Sequence, residues 1–293
     1  MHKAGFVNIV GNPNVGKSTL MNLFVGERIS IATFKAQTTR HRIMGIINTE
    51  DAQIVFSDTP GVLKPNYKLQ ESMLAFSESA LQDADVLLYV TDVVEKIDKN
   101  SDFLKKVEHL NVPILVLINK IDLSNQKQLE SLVDTWHELI PKAEIFPVSA
   151  SAKFNVNNVL ARIKELLPDS PPYFDKDQWT DKPARFFVTE IIREKILLYY
   201  DKEIPYATEV LVESFKETDQ QIHINALIFV ERESQKGIII GHQGAALKKV
   251  STEARKTLEK FFGKHIYLQV FVKVDKDWRN SSKRLEAYGY KLD

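Results

Sequence analysis

The sequence has no cysteine among its 293 residues, which excludes a disulfide framework and any metal site built on thiolates. It also has no apolar run long enough to span a membrane, and Met1 to Gly5 lead straight into an apolar strand pattern with no room for a signal peptide. Neither sign of charge is in excess, because 39 Lys and Arg balance 39 Asp and Glu. We therefore expect a cytosolic globular protein of one large or two medium domains.

Residues 11–18 read GNPNVGKS and fit the G-x-x-x-x-G-K-[ST] pattern of a phosphate-binding loop. The loop lies between an apolar strand pattern at 6–10 and a helical pattern that begins at Ser18, so its backbone N–H groups and the positive helix end would face a polyphosphate. We predict that Lys17 reaches the β- and γ-phosphates and that Ser18 holds Mg²⁺. A glycine-containing turn without a ligand is the alternative. The other loop residues predicted to contact nucleotide are Gly11, Asn12, Asn14, Val15, Gly16 and Thr19.

A second motif, Asn119-Lys120-Ile121-Asp122, follows the apolar run 114–118 and is the N-K-x-D motif of guanine-nucleotide proteins. Guanine presents N1–H and N2–H donors side by side, which one carboxylate can accept together, and adenine has no such pair. We predict that Asp122 reads the base while Asn119 and Lys120 frame the ring. After the strand pattern 145–148, the backbone N–H groups of Ser149, Ala150 and Ser151 would complete the pocket. Taken alone, the motif also fits a solvated turn.

A third motif, Asp58-Thr59-Pro60-Gly61, follows the strand pattern 53–57. A carboxylate at the C-terminal end of a strand, opposite a phosphate loop, suits Mg²⁺ and its water shell. The Gly61 N–H can approach the γ-phosphate because glycine carries no side chain. Asp58, Thr59 and Gly61 are therefore predicted nucleotide contacts, and an ordinary turn is the alternative.

Five apolar strand patterns, at 6–10, 53–57, 86–90, 114–118 and 145–148, alternate with helical patterns. This order predicts an α/β fold with a doubly wound, mostly parallel sheet, to which Ile43–Asn48 adds a hairpin with 53–57. A Pro-rich polar stretch follows Pro168. We expect a nucleotide-binding domain at 1–170, a linker at 171–183 and a second domain at 184–293.

The second half predicts a helix at 184–199, strands at 208–216 and 221–232, two helices around Gly241–Gly244 and a strand at 266–274. This α-β-β-α-α-β order around a G-x-x-G turn resembles a KH domain of the prokaryotic type, an α+β fold. Residues 236–284 carry 12 Lys and Arg against 4 Asp and Glu, which indicates a polyanion-binding surface. The alternatives are a solvated helical face and a plain packing turn. The predicted RNA contacts are Gly241, His242, Gln243, Gly244, Lys248 and Lys249, with Ile239 and Ile240 supporting the bases.

Taken together, these motifs resemble the Era family of bacterial GTPases over essentially the whole chain. Lys35–Arg42 resembles the family's effector loop, and Gly237–Lys249, Thr252–Lys256 and Val272–Arg279 resemble its KH half. The resemblance implies GTP and GDP binding with Mg²⁺, GTP hydrolysis, binding near the 3′ end of 16S rRNA, and a role in assembling the 30S ribosomal subunit. It also implies that Thr39 joins Ser18 and Asp58 at Mg²⁺, with the neighbouring Thr38 as the competing assignment. Lys17, Thr39, Asp58 and Gly61 would then carry catalysis.

Two details of the resemblance bear on the rate of hydrolysis. Val62 stands where Ras-like GTPases have a water-positioning glutamine, so we expect slow hydrolysis without help. The segment 11–14 resembles the loops of potassium-stimulated GTPases, in which the residue at the position of Asn14 helps to hold K⁺. Two other functions stay open: a GTPase that acts on another RNA, and an RNA-binding module that hydrolyses little GTP. We expect a monomer without a transmembrane segment, and peripheral contact with the inner face of the cell membrane is a second option for its location.

Overall fold

The structure is a computed structural model that describes residues 2–96 and 100–290. It divides into two compact units. One extends to Asn66 and resumes over Gln70–Asp181, and the other takes Tyr67–Leu69 and the chain from Lys182 onward. The division after Asp181 falls within the stretch 171–183 that the sequence predicts as a linker.

The first unit is built on a six-stranded sheet in the order β2-β3-β1-β4-β5-β6. The strand β2 is antiparallel to β3 and the other pairs are parallel, as predicted for a doubly wound α/β fold. The strands are β1 Lys3–Gly11, β2 Ile43–Asn48, β3 Ala52–Asp58, β4 Val86–Asp92, β5 Ile114–Asn119 and β6 Glu144–Pro147. The helices are α1 Lys17–Val25, α2 Lys68–Ser79, α3 Ser101–Glu108, α4 Gln126–Leu139 and α5 Val156–Leu166.

Every residue of β3, β4 and β5 is buried, because a parallel sheet with helices on both faces leaves no side of these strands to water. The strands run past the apolar patterns to the polar residues Asp58, Asp92 and Asn119. These three side chains are buried at the strand ends. The sheet therefore places polar groups at its C-terminal edge, where open α/β sheets bind ligands.

The second unit has a three-stranded sheet in the order β7-β8-β9. The strands β7 and β8 are antiparallel, whereas β8 and β9 are parallel. Its elements are α6 Ala184–Tyr199, β7 Glu209–Glu217, β8 Gln221–Val230, α7 Glu233–Ile240, α8 Ala245–Phe262, β9 His265–Val274 and α9 Ser282–Ala287. The predicted α-β-β-α-α-β order is confirmed, and α9 is an addition that the sequence pattern did not indicate.

One face of this sheet forms the core of the second unit. Alternate β8 residues from Ile222 to Val230 are fully buried, as their period of two predicts. They pack with residues spaced four apart on α6 and α8, such as Ile192 and Ile196 on α6 and Ala254 and Leu258 on α8. The helices α6, α7 and α8 all pack against this same face. Among the described helices, none is long and apolar enough to cross a membrane.

Candidate functional site

The phosphate loop connects β1 to α1 and is shaped by two glycines with positive φ. Gly16 has φ +100°, and a Cβ there would lie 2.2 Å from Asn119 Nδ2. Gly11 has φ +143°, and a Cβ there would lie 2.1 Å from the Val90 carbonyl oxygen. Both positions therefore exclude a side chain. The first N–H groups of α1, at Lys17, Ser18 and Thr19, have no partner within the helix and can face an anion.

Lys17 is buried inside this loop. Its Nζ donates to the carbonyl oxygens of Gly11, at 3.1 Å, and Asn12, at 2.8 Å. Burial lowers the pKa of Lys17 to about 8, although the carboxylates of Asp58 and Glu95 act in the opposite direction. The loop thus encloses an amine that a polyphosphate would stabilise in its charged form.

Three oxygen donors meet beside Lys17. Ser18 Oγ lies 2.8 Å from Thr39 Oγ1 and donates to Asp58 Oδ2 at 2.7 Å, and Thr39 Oγ1 donates to the same carboxylate oxygen at 3.1 Å. Thr38, the competing candidate, points elsewhere: its hydroxyl donates to the Lys35 carbonyl at 2.6 Å. The structure therefore groups Thr39, not Thr38, with the other two predicted Mg²⁺ ligands.

The donor set fits a hard divalent cation. Asp58 is fully buried, and its Oδ1 has no hydrogen-bond partner within the described structure, which is the state expected of an oxygen that faces a cation or its water shell. Burial raises the pKa of Asp58, while the nearby Lys17 charge and the Ser18 and Thr39 hydroxyls counteract it. One carboxylate and two hydroxyls leave the remaining ligand positions to phosphate oxygens and water, as Mg²⁺ prefers.

The Asp58–Gly61 segment lies against the loop. A Cβ on Gly61 would lie 2.7 Å from Pro13 Cα, and the Val62 N–H donates to the Gly11 carbonyl at 3.1 Å. The Thr59 hydroxyl, predicted to contact nucleotide, donates instead to the Ile9 carbonyl at 2.8 Å. Its side chain therefore joins β3 to β1. The Val62 side chain is buried in the apolar core, so it neither faces nor orients a water molecule.

Asn12 was predicted as a nucleotide contact, but its side chain is turned toward the protein. Its Nδ2 donates to Glu95 Oε2 at 2.7 Å, and its Oδ1 accepts from Asn100 Nδ2 at 2.5 Å. Glu95 and Asn100 thus brace the loop, and sequence reasoning missed both because they lie in no motif and more than eighty residues away. Asn14 is exposed with φ +67°, and its carbonyl accepts from Lys120 Nζ at 2.6 Å.

The N-K-x-D motif connects the end of β5 to the phosphate loop. Asn119 Nδ2 donates to the Val15 carbonyl at 2.8 Å, and its Oδ1 accepts from the Ala150 N–H at 3.0 Å. Lys120 pairs with the buried Asp92. Asp92 was absent from the sequence prediction, although its place directly after the apolar run 86–90 is the same signal that identified Asp58.

Asp122 is exposed, and its carboxylate accepts the hydroxyl of Ser149. This hydrogen bond lowers the pKa of Asp122, so the group is an ionised acceptor at neutral pH. Of the three backbone N–H groups predicted to complete the pocket, Ser149 donates to the Phe154 carbonyl at 3.2 Å and Ala150 donates to Asn119. The Ser151 Oγ lies 3.0 Å from Ser149 Oγ. Two of the three predicted N–H groups are therefore engaged within the protein, and the hydroxyls of Ser149 and Ser151 also line this side.

The G-x-x-G turn in the second unit joins α7 to α8 and exposes its middle residues. Gly241 has φ +71° and ψ 177°, and Gly244 has φ +76° and ψ 9°, so both occupy conformations that favour glycine. His242 and Gln243 are exposed, as are Lys248 and Lys249 on the first turns of α8. Lys249 Nζ lies 4.5 Å from the centre of the Tyr199 ring.

One predicted RNA contact needs correction. The Ile239 side chain is fully buried in the core and its carbonyl accepts from the Tyr200 hydroxyl at 2.7 Å, so this side chain cannot support a base. Ile240 is half-buried, and the exposed apolar residue before the turn is Ile238, of which 51% is accessible. The sequence did not reveal which of the three isoleucines faces the core, because three consecutive apolar residues show no helical periodicity.

Comparison with known proteins identifies both units. Residues 6–120 match a family described as 50S ribosome-binding GTPase, and residues 203–279 match the KH domain family. The GTPase Era of Staphylococcus haemolyticus (strain JCSC1435) is 41% identical over 291 residues, which is 99% of this chain and 97% of that protein.

Two solved structures of Era resemble the whole chain. One is Era in complex with MgGDPNP and nucleotides 1506–1542 of 16S ribosomal RNA, with a TM-score of 0.95 and 38% identity over 100% of both chains. The other is Era of Aquifex aeolicus, a point variant bound to GDP·AlF4−, with a TM-score of 0.94 and 38% identity over 99% of this chain and 100% of that one. With a phosphate loop, a guanine motif and a KH domain in one chain that matches these proteins from end to end, this protein belongs to the Era family of GTPases.

Proposed function

We propose that this protein is a GTP-hydrolysing switch that binds the 3′ region of 16S rRNA and assists assembly of the 30S subunit. The GTPase part of this proposal rests on one observation: the side chains of Ser18, Thr39 and Asp58 contact one another beside the buried Lys17. Support for the RNA half comes from the Era complex with 16S rRNA nucleotides, which matches this chain over its full length. The exposed turn His242–Gln243 and the basic block around it offer the surface.

In the nucleotide site, the backbone N–H groups of the loop and of the first α1 turn hold the phosphates, and Lys17 neutralises charge on the β- and γ-phosphoryl oxygens. Ser18, Thr39 and Asp58 hold Mg²⁺, which neutralises the negative charge that develops as the γ-phosphate is transferred. Gly61 lies so close to the loop that a Cβ there would meet Pro13, and its backbone N–H would contact the γ-phosphate. Removal of any one of these groups should slow GTP hydrolysis markedly and have little effect on the fold.

Hydrolysis should be slow in the isolated protein. Water must attack the γ-phosphorus in line with the bond that breaks, and nothing orients that water at the position of Val62, whose side chain is in the core. Backbone groups, a residue of the segment 35–42, or a K⁺ ion held at Asn14 would then position the water or balance the charge. The exposed position of Asn14 beside the loop is compatible with the cation.

Asp122 selects guanine by accepting N1–H and N2–H on its two carboxylate oxygens. The Ser149 hydroxyl supports it in the ionised state. Asn119 ties the base pocket to the phosphate loop through the Val15 carbonyl. A base that lacks the two donors leaves a carboxylate unpaired, and such sites discriminate by large factors.

In the RNA half, Gly241–Gly244 brings the chain close to a single-stranded sugar–phosphate backbone. Lys248 and Lys249 are exposed on the first turns of α8, where they can contact phosphates. We place the GTP-binding domain at 1–170, the linker at 171–183 and the KH domain at 184–293. The protein would act as a monomer in the cytoplasm, with peripheral membrane contact as the second option.

Single-turnover GTP hydrolysis, measured with and without a 16S rRNA 3′-tail oligonucleotide and in KCl or NaCl, tests this proposal. We expect slow GTP hydrolysis by the protein without RNA, and tight binding of the 3′-tail oligonucleotide to the protein. Equal rates in the two salts would exclude the K⁺ contribution. Tail binding without measurable hydrolysis would favour an RNA-binding module regulated by nucleotide. Hydrolysis without tail binding would favour a GTPase that acts on another RNA.

A further inference from the structure

The outer face of the KH sheet, opposite the helices, has an ordered set of side chains. On the edge strand β9, Tyr267, Gln269 and Phe271 alternate on this face, and their neighbours on β8 are His223, Asn225 and Leu227. We call these six residues the outer platform. Because α6, α7 and α8 pack on the other face, the outer platform is separate from the G-x-x-G turn at the α7–α8 junction.

Two aromatic rings of the outer platform are open to solvent. Tyr267 is 53% exposed and Phe271 is 51% exposed, and four residues of strand place them about 13 Å apart. The His223 ring lies 5.4 Å from the Tyr267 ring, and Leu227 is buried beside Phe271 as an apolar floor. Exposed rings this large on one sheet face need an explanation, because a sheet face without a ligand is ordinarily polar.

The chain itself closes one end of the face. The Tyr288 ring packs 5.5 Å from Phe229, and the Tyr290 hydroxyl donates to Glu209 at 2.6 Å. The segment up to Tyr290 therefore covers the row of β7 and β8 that is formed by Glu209 and Phe229. The open part of the face includes the outer platform and the neighbouring Leu211 on β7, which is 39% exposed.

Two lysines flank the outer platform. Lys216 is paired with His223 across β7 and β8, and Lys273 follows Phe271 on the same side of β9. Both lysines are exposed, and neither has a carboxylate partner in the described part of the chain. Of the neighbouring acids, Glu217 is paired with Lys264 and Glu209 is buried against Tyr290, while Glu213 at the β-bulge of β7 and Asp219 in the β7–β8 turn are exposed.

We propose that the outer platform is a second binding surface for single-stranded RNA, on which two bases stack on Tyr267 and Phe271. Base stacking on aromatic rings tolerates any sequence, and sheet faces with alternating aromatics bind single strands in this way in other folds. The amides of Gln269 and Asn225 lie between the rings, where they can pair with base edges. Lys216 and Lys273 at the two ends can contact phosphates.

The composition favours RNA over a protein partner. The centre of a protein–protein interface is apolar and well packed, whereas here the amides of Gln269 and Asn225 separate the two rings and the His223 imidazole lies beside Tyr267. The proposal does not depend on the turn at Gly241–Gly244. Together the two surfaces would let one KH unit hold a longer single strand than the turn alone.

The test uses full-length protein and a short fluorescein-labelled oligoadenylate, with binding followed by anisotropy. The double variant Tyr267→Ala/Phe271→Ala is compared with the ring-preserving double variant Tyr267→Phe/Phe271→Tyr. Leu198→Ala serves as a control, because Leu198 is a similarly exposed apolar side chain on α6. Unchanged GTP hydrolysis and circular dichroism verify that each variant is folded. The same set is repeated in a His242→Asp/Gln243→Asp background, which isolates the outer platform from the turn.

We expect about a tenfold or greater loss of affinity in the double alanine variant, and near-parental affinity in the ring-preserving variant and in Leu198→Ala. Unchanged affinity in the double alanine variant would overturn the proposal and leave the face to a protein partner. Equal losses in the alanine and ring-preserving variants would also overturn it, because stacking needs only the rings. If the turn variant binds as the parent does while the alanine variant does not, the turn assignment fails and the outer platform stands.

Discussion

The two units place their functional groups in opposite ways. In the GTPase unit, the central strands are buried on both faces, and two proposed catalytic groups, Lys17 and Asp58, lie inside the protein. In the KH unit, one face of the sheet forms the core, and the residues that we propose contact RNA, such as His242 and Lys248, are exposed. Buried groups interact strongly in a low-dielectric site, whereas exposed charges are screened. A single substitution should therefore abolish the first function but only reduce the second.

The largest effect is expected from Lys17→Ala. The buried ammonium lies inside the loop that we propose holds the phosphates, so its loss should slow GTP hydrolysis by about 100-fold or more. Affinity for the 16S 3′-tail oligonucleotide should not change. Single-turnover hydrolysis and filter binding measure the two effects. Lys153→Ala, which alters an exposed lysine of the same unit, is the control. Hydrolysis within a factor of two of the parent would contradict the assignment of Lys17.

Asp122→Asn should exchange the base specificity of the site. The amide can donate to xanthine where the carboxylate accepts from guanine. The affinity for GTP should therefore fall by about 100-fold or more, and the affinity for xanthosine triphosphate should rise. Asp134→Asn, at an exposed aspartate of α4, should leave both affinities as they are. Competition against a labelled GTP analogue measures the change. ATP binding as tight as GTP in the unmodified protein would contradict guanine selection.

The two turn glycines allow strain and crowding to be separated. At Gly244 an added Cβ meets open space, whereas at Gly241 it would lie 2.6 Å from Ala246 Cβ. Gly241 also has an extended ψ with positive φ, a region in which side chains are nearly absent. We expect Gly244→Ala to lower the free energy of unfolding by about 1 kcal/mol and Gly241→Ala by about 3 kcal/mol. Chemical denaturation compares them, and equal losses would mean that the close contact does not matter.

The smallest effects are expected at the exposed lysines. Lys248→Ala and Lys249→Ala should each weaken tail binding by a modest factor for all RNA sequences. Each should also reduce the slope of log affinity against log salt by about 0.7, because one fewer counterion is released from a single strand. Lys236→Ala, at a half-buried position of α7, is the comparison. An unchanged salt slope would place these two lysines away from the phosphates.

Much of the fold and the nucleotide site could be predicted because the relevant signals are local. The motifs at Lys17, Asp58 and Asp122 are short, and each directly follows an apolar strand pattern. The bracing of Asn12 by Glu95 and Asn100 could not be predicted, because it joins distant segments without a motif. The sequence also could not show which residue of Ile238–Ile240 is buried, since three identical apolar residues have no helical periodicity.

The central claim is that GTP and RNA are bound by separate units with separate groups, and one variant tests it directly. His242→Asp/Gln243→Asp places two like charges against the RNA backbone but lies outside the GTPase unit. Calorimetric titration with a GTP analogue and with the 16S 3′-tail oligonucleotide should show unchanged nucleotide affinity and about a tenfold or greater loss of RNA affinity, because like charges in contact repel strongly. Unchanged RNA affinity, or a loss of nucleotide affinity in the same variant, would contradict the account.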